Sequence, residues 1–157
     1  MAPNAGNMKV KIFADGADRA RMLELYGNST VKGFTTNPTL MRQAGVTDYE
    51  TFAKQILVSI PDRPISFEVF SDDFADMERQ ALKIASWGAN VFVKIPVTNT
   101  KGESTAPLVR RLVKQGVQLN VTAIFTIAQI DAVVDALAGT KHSYVSVFAG
   151  RIADTET

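Results

Sequence analysis

The stretch VFVKIPV, residues 91–97, sets one lysine among six apolar residues. A run this rich in Val, Ile and Phe reads as a buried strand. Lys94 is a strongly hydrated cation, and burying it is costly unless it is paired or gives up its proton. An amine attacks a carbonyl only when neutral, and apolar surroundings favour the neutral form. The product of that attack is an iminium, an electron sink for breaking the adjacent C–C bond. Such chemistry needs an acid/base group, and two carboxylates sit at corresponding places in other apolar runs. Asp15 ends VKIFAD, and Glu68 falls late in PISFEVF. Thr35, Thr36 and Asn37 end VKGFTTN, Asn120 and Thr122 share a period-2 face of VQLNVTAIF, Ser146 lies in SYVSVFAG, and Arg151 follows it. Hydroxyl and amide groups suit a polyol chain, and an arginine suits a phosphate. Together these residues point to lysine-dependent aldol chemistry on a sugar, with no cofactor required.

Each residue also has a plainer reading. A lone strand lysine can snorkel at an edge. Asp15 can cap the next helix, and Thr35 and Asn37 before Pro38 are ordinary turn and cap residues. Glu68 can pair an edge arginine, threonine is common in strands, and Arg151 can be a surface residue. What favours a site is that every one of these readings would have to hold at once, at the same end of successive strands.

The elements that must position the set are short apolar runs separated by amphipathic stretches. The apolar runs are 10–14, 31–38, 64–70, 89–97, 117–125 and 143–150. Between them the pattern predicts a helix over 17–26, and one opened by a capping box of Thr47 and Glu50. A third is capped by Ser71 and stopped near Gly88. A fourth runs from about Ser104 to Gly116, and a fifth is opened by a Thr126–Gln129 capping box and stopped at Gly139. Six strand-then-helix units predict a parallel sheet, in either a doubly wound open sheet or a (β/α) barrel. The turn after the first strand, ADGADR, has a single glycine, and no GxGxxG or GxxxxGK[ST] occurs. This leaves the barrel favoured, because a doubly wound sheet often carries a glycine-rich phosphate turn there. In a barrel, the strand C-termini share the face that holds the active site.

The bulk numbers narrow the class. The chain has 157 residues with 17 Lys plus Arg and 16 Asp plus Glu, giving a formal charge of +1. That length suits one domain spanning 1–157, and that balance gives no footprint for nucleic acid or an acidic membrane. There is no cysteine and one histidine, His142, placed before the sixth run. Disulfides, cysteine nucleophiles, His-based triads and Cys- or His-rich metal sites are thereby excluded. The leader MAPNAGN has neither the basic start nor the apolar core of a signal peptide, and no apolar run reaches the ~18 residues of a membrane span. A soluble, cytoplasmic protein is the expectation.

Four motifs, GFTTNPTL, FVKIPVT, LNVTAIFT and VSVFAGRIAD, resemble the transaldolase family of class I aldolases, including the small transaldolases and the related fructose-6-phosphate aldolases. The resemblance runs from Lys9 to Asp154. It implies a (β/α)8 TIM barrel with a Schiff-base lysine on the fourth strand, matching Lys94, and an acid/base aspartate, matching Asp15. It further implies that Thr35 and Asn37 lie in the substrate turn, with Asn37 touching substrate. Asn120 would hold a substrate hydroxyl, Thr122 a catalytic water, and Ser146 the hydroxyls at the carbonyl end. Phe148 would line the pocket and Arg151 would bind phosphate. Glu68 and Phe148 resemble the transaldolases, whereas the aldolases tend to have glutamine and tyrosine there. The activity implied is transfer of a dihydroxyacetone unit from sedoheptulose 7-phosphate to glyceraldehyde 3-phosphate in the pentose phosphate pathway. No metal or cofactor is implied, and sugar phosphates are the only partners besides a homo-oligomer of the full-length parent. A fructose-6-phosphate aldolase is the first alternative.

The family resembled continues for two more strand–helix units after the sixth strand, whereas this sequence stops at RIADTET. Three expectations follow: a fragment of a longer gene product, a barrel completed by another chain, or a shortened paralogue that binds sugar phosphates without turnover. The fragment is favoured.

Overall fold

A computed structural model describes residues 9–140 and 142–155. The leader MAPNAGN lies outside the described residues. Strands and helices alternate as β1 (Ile12–Asp15), α1 (Arg19–Tyr26), β2 (Val31–Thr35), α2 (Pro38–Gln43), α3 (Tyr49–Ser59), β3 (Ile65–Glu68), α4 (Phe74–Ala85), β4 (Val91–Pro96), α5 (Ala106–Lys114), β5 (Leu119–Ile124), α6 (Ile127–Ala136), β6 (Ser143–Val147) and α7 (Ala149–Thr155). All six apolar runs become strands. The strand order is β1-β2-β3-β4-β5-β6. Backbone contacts group the residues into two compact units, one reaching Phe67 and including Trp87–Val91, the other comprising Glu68–Ser86 and the residues from Phe92 onward.

In the first unit β1 pairs with β2 and β2 with β3, both parallel. Phe13 pairs with Gly33, and a Cβ on Gly33 would stand 2.2 Å from the Phe13 ring. Glycine is therefore required at position 33 for that ring to lie across β2. Phe34, Ile56, Ile60, Ile65 and Phe67 are fully buried. Trp87 meets Tyr49 and Phe67 edge-on, at ring separations of 5.2 and 5.9 Å. The Asn90 amide donates to the carbonyls of Ile60 and Arg63, both at 2.9 Å. The Ile65 N–H donates to the Asn90 carbonyl.

In the second unit β4 pairs with β5 and β5 with β6, again parallel. The Val69 N–H donates to the Lys94 carbonyl. This bond and the one from Ile65 to Asn90 lay the chain of β3 beside the chain of β4. A doubly wound sheet reverses its strand order at a switch point. Here β3 neighbours β4 and the order never reverses, which decides for the barrel succession. Strand side chains alternate: Val93, Ile95, Leu119, Val121 and Ile124 are fully buried with Leu108, Val109 and Leu112 of α5.

Helix boundaries differ from the sequence reading where two cap residues compete. Asp48, not Thr47, caps α3, and Asp73, not Ser71, caps α4. In each case the aspartate lies where the backbone turns into the helix, and its carboxylate accepts the N–H three residues on. Helix α4 ends at Ala85, three residues short of Gly88. The Thr126–Gln129 capping box forms as expected.

Helix α4 is tied to α5 by Glu78, which accepts from Arg111 Nε at 2.9 Å and Gln115 Nε2 at 3.2 Å. The Arg111 hydrogen bond holds the Glu78 carboxyl below its ordinary value of 4.5, against a smaller opposing effect of burial. A carboxyl depressed in the folded state adds stability above its unfolded pKa and loses it as pH falls through the folded value. The melting temperature of Glu78→Gln should lie below wild type at neutral pH, and the gap should close as pH falls from about 6 to about 3. A gap constant across that window would show that the pair contributes nothing.

Candidate active site

In the first unit, the ends of β1 and β2 bring Asp15 beside Thr35, and Thr35 Oγ1 donates to Asp15 Oδ1 at 2.7 Å. Asp15 does not cap α1. That part falls to Asp18, whose side chain accepts from the Arg21 N–H. Asp15 is thus left at the strand end, where it lines a cavity of about 350 Å³ with Gly16, Met22, Phe34 and Leu40. That cavity includes neither Lys94 nor Glu68. Asn37 takes its plainer reading, since its Oδ1 accepts from the Leu40 N–H at 2.9 Å and caps α2, with Pro38 in the first turn. Its amide nitrogen still offers donors.

In the second unit, Lys94 is 7% exposed. The sequence sets it within an apolar run and offers Asp15 and Glu68 as acid/base groups. The structure brings the second of these close: Glu68 Oε2 lies 3.5 Å from Lys94 Nζ, with both side chains largely buried. The two groups form an ion pair out of bulk solvent. Across β4 and β5, Lys94 pairs with Asn120 and Pro96 with Thr122, so Lys94, Asn120 and Thr122 share one face by alternation. On β6, Tyr144 pairs with Asn120, and Ser146, two residues on, donates to Asn120 Oδ1 at 2.7 Å. Below this layer Phe92 and Tyr144 pack ring to ring at 4.6 Å. Thr122 is 1% exposed, and its hydroxyl has no hydrogen-bond partner among the described residues. A buried hydroxyl is ordinarily satisfied, and the Thr36 hydroxyl and the Trp87 ring N–H are the other buried groups without a partner among the described residues.

Phe148, just after β6, meets Phe125 ring to ring at 5.7 Å. Phe125, which sequence reading did not single out, is exposed together with Ile127. Arg151 is exposed on α7, and His142 is exposed ahead of β6. The loop after β4 is fastened by Asp72, whose carboxylate accepts both the N–H and the hydroxyl of Thr100 at 2.7 Å. These two bonds hold the Asp72 carboxyl below its usual range. No helix among the described residues is long and apolar enough to cross a membrane, and no cluster of three or more potential metal ligands occurs among them.

The chain matches the transaldolase/fructose-6-phosphate aldolase family over residues 12–156. It is 38% identical over 145 residues to a protein of Dehalococcoides mccartyi named "Probable transaldolase", covering 92% of this chain and 63% of that relative. A protein of the same name from Streptococcus agalactiae is 37% identical over 148 residues, covering 94% of this chain and 64% of the relative. The chain thus spans a little under two thirds of these relatives. Among solved structures it resembles QR15, an aldolase, with a TM-score of 0.60 and 13% identity over 93% of this chain and 72% of that one. It also resembles a dihydrodipicolinate synthase from Rhodopseudomonas palustris, with a TM-score of 0.58 and 15% identity over 93% of this chain and 58% of that one. At such identities the likeness concerns the fold alone: the first six strands of a (β/α)8 barrel with their intervening helices.

Proposed function

The chain belongs to the transaldolase/fructose-6-phosphate aldolase family, and on that footing we propose that the protein is a transaldolase that moves a dihydroxyacetone unit between sugar phosphates through a lysine Schiff base. Lys94 is the nucleophile. Its neutral amine adds to the C2 carbonyl of a ketose phosphate, water leaves, and the iminium draws the electrons of the C3–C4 bond as that bond breaks. A base takes the proton of the C4 hydroxyl, the shortened aldose leaves, and an enamine of three carbons stays on Lys94. The enamine carbon then attacks an acceptor aldehyde, and hydrolysis returns the amine. Asp15 is the acid/base group for the C4 hydroxyl, oriented by Thr35. Glu68 and Thr122 handle the water that leaves and returns. Asn120, Ser146 and Asn37 hold hydroxyls, Phe148 walls the pocket, and Arg151 takes the phosphate. No cofactor enters these steps. The donor would be sedoheptulose 7-phosphate and the acceptor glyceraldehyde 3-phosphate, in the cytoplasmic pentose phosphate pathway.

The observation that carries this reading is the buried Lys94 amine with the Glu68 carboxylate 3.5 Å away. A buried ion pair is weak evidence for a stabilising role, since apolar residues of equal volume often do as well. A nucleophile beside a proton carrier has a chemical reason to be there. The test is a coupled assay on the full-length protein with fructose 6-phosphate as donor, with and without erythrose 4-phosphate. A transaldolase needs both substrates for steady turnover. Release of dihydroxyacetone at the same rate without acceptor would identify an aldolase instead. No turnover, with ligand binding unchanged in Lys94→Ala, would leave only a sugar-phosphate-binding protein.

A further inference from the structure

Ala123 is the one residue other than glycine with a positive φ among the described residues, at 57°. It sits inside β5, where that conformation is foreign to a strand. The β5–β6 register runs from Val121 opposite Val145 to Ile124 opposite Val147. Thr122 and Ala123 therefore both stand against Ser146, one residue more than the partner strand offers. On the other side the ladder is unbroken: Pro96 pairs with Thr122, and the Val97 N–H donates to the Thr122 carbonyl at 2.9 Å. The backbone of Thr122 is thus tied to the strand that carries Lys94, and the kink falls one residue later. The ladder resumes at once, with the Phe148 N–H donating to the Ile124 carbonyl at 2.9 Å and Ile124 fully buried.

A bulge of this kind bends its strand and re-aims the neighbouring side chain. The neighbour here is Thr122, whose buried hydroxyl has no partner among the described residues. We propose that Ala123 is a positioning residue: its left-handed kink aims the Thr122 hydroxyl into the Lys94 face and keeps it clear of protein partners, so that it serves the water and proton steps. This rests on the role proposed for Thr122. Backbone strain inside an element persists where the surroundings over-determine it, and such positions cluster at active sites. Alanine fits because it tolerates a positive φ better than any β-branched residue.

The test sets backbone preference against size in the full-length protein. Valine and asparagine are both larger than alanine, but asparagine accepts positive φ and valine does not. Ala123→Val should lower kcat by up to about 100-fold, the scale of a catalytic group misplaced by ~1 Å. Ala123→Asn and Ala123→Gly should rescue kcat to within about twofold, the margin of ordinary additivity. In a Thr122→Val background, Ala123→Val should add no more than that same margin of about twofold. Borohydride trapping of the ketose on Lys94 should persist in every variant, because Ala123 acts only through Thr122. The proposal is overturned if Ala123→Val retains full kcat, if Ala123→Asn falls as far as Ala123→Val, or if the losses multiply with Thr122→Val. Should Ala123→Val not fold, Ala123→Asn decides alone: full kcat supports the proposal and a loss equal to that of Thr122→Val overturns it. Absence of trapping in the wild type would strike the transaldolase reading itself, a different result from additive losses with trapping intact.

Discussion

Lys94→Arg is expected to lower kcat for dihydroxyacetone transfer by about four orders of magnitude or more, the scale seen when a covalent nucleophile is removed. The reason is chemical and not structural. Arginine stays protonated at any working pH and cannot add to a carbonyl. It keeps a positive charge beside Glu68, so the buried pair survives and the melting temperature should move little. Lys94→Ala is a poorer test. It would leave the Glu68 carboxylate, 17% exposed, without its cation, and breaking one partner of a buried pair costs about 3–5 kcal/mol. Steady-state transfer assays with thermal melts on both variants separate the two effects. Wild-type turnover in Lys94→Arg would remove the amine from the mechanism.

The second large effect is expected at Glu68. Glu68→Gln keeps the size and one carbonyl oxygen but loses the negative charge and the ability to take a proton. Loss of a general acid/base group lowers kcat by about 10²–10⁴-fold. The loss should fall unevenly. Acceptor-dependent transfer and its hydrolytic steps should suffer more than simple ketose cleavage, because the fructose-6-phosphate aldolases this chain resembles tend to have glutamine there. The measurement is the ratio of acceptor-dependent transfer to acceptor-free dihydroxyacetone release, in wild type and variant. An unchanged ratio at unchanged kcat would show that Glu68 is only a counter-ion.

How much of this could be read from the sequence depends on how local each signal is. The six strands were legible because short apolar runs bounded by turn residues have few other readings, and the Thr126–Gln129 box because it closes within four residues. The caps at Asp48 and Asp73 were misplaced onto Thr47 and Ser71. Two good capping residues stood near each other, and only the backbone dihedrals choose between them. Helix α2 carries no legible signal beyond the Asn37–Pro38 start, since six residues are too few to show a period. The choice between barrel and doubly wound sheet needed the β3–β4 neighbours, which no periodicity contains. The Glu68–Lys94 pairing joins residues far apart in sequence, so composition could name both groups but not place them together. Nothing in LNVTAIF marks Ala123, because its conformation is imposed by a register with β6.

The most direct measurement is borohydride reduction of the full-length protein in the presence of fructose 6-phosphate, followed by peptide mass mapping. A reduced three-carbon adduct is expected on the peptide containing VFVKIPV, with the modified residue assigned to Lys94, and no adduct without sugar. An unlabelled Lys94 peptide, or labelling confined to another lysine, would contradict a Schiff base at Lys94.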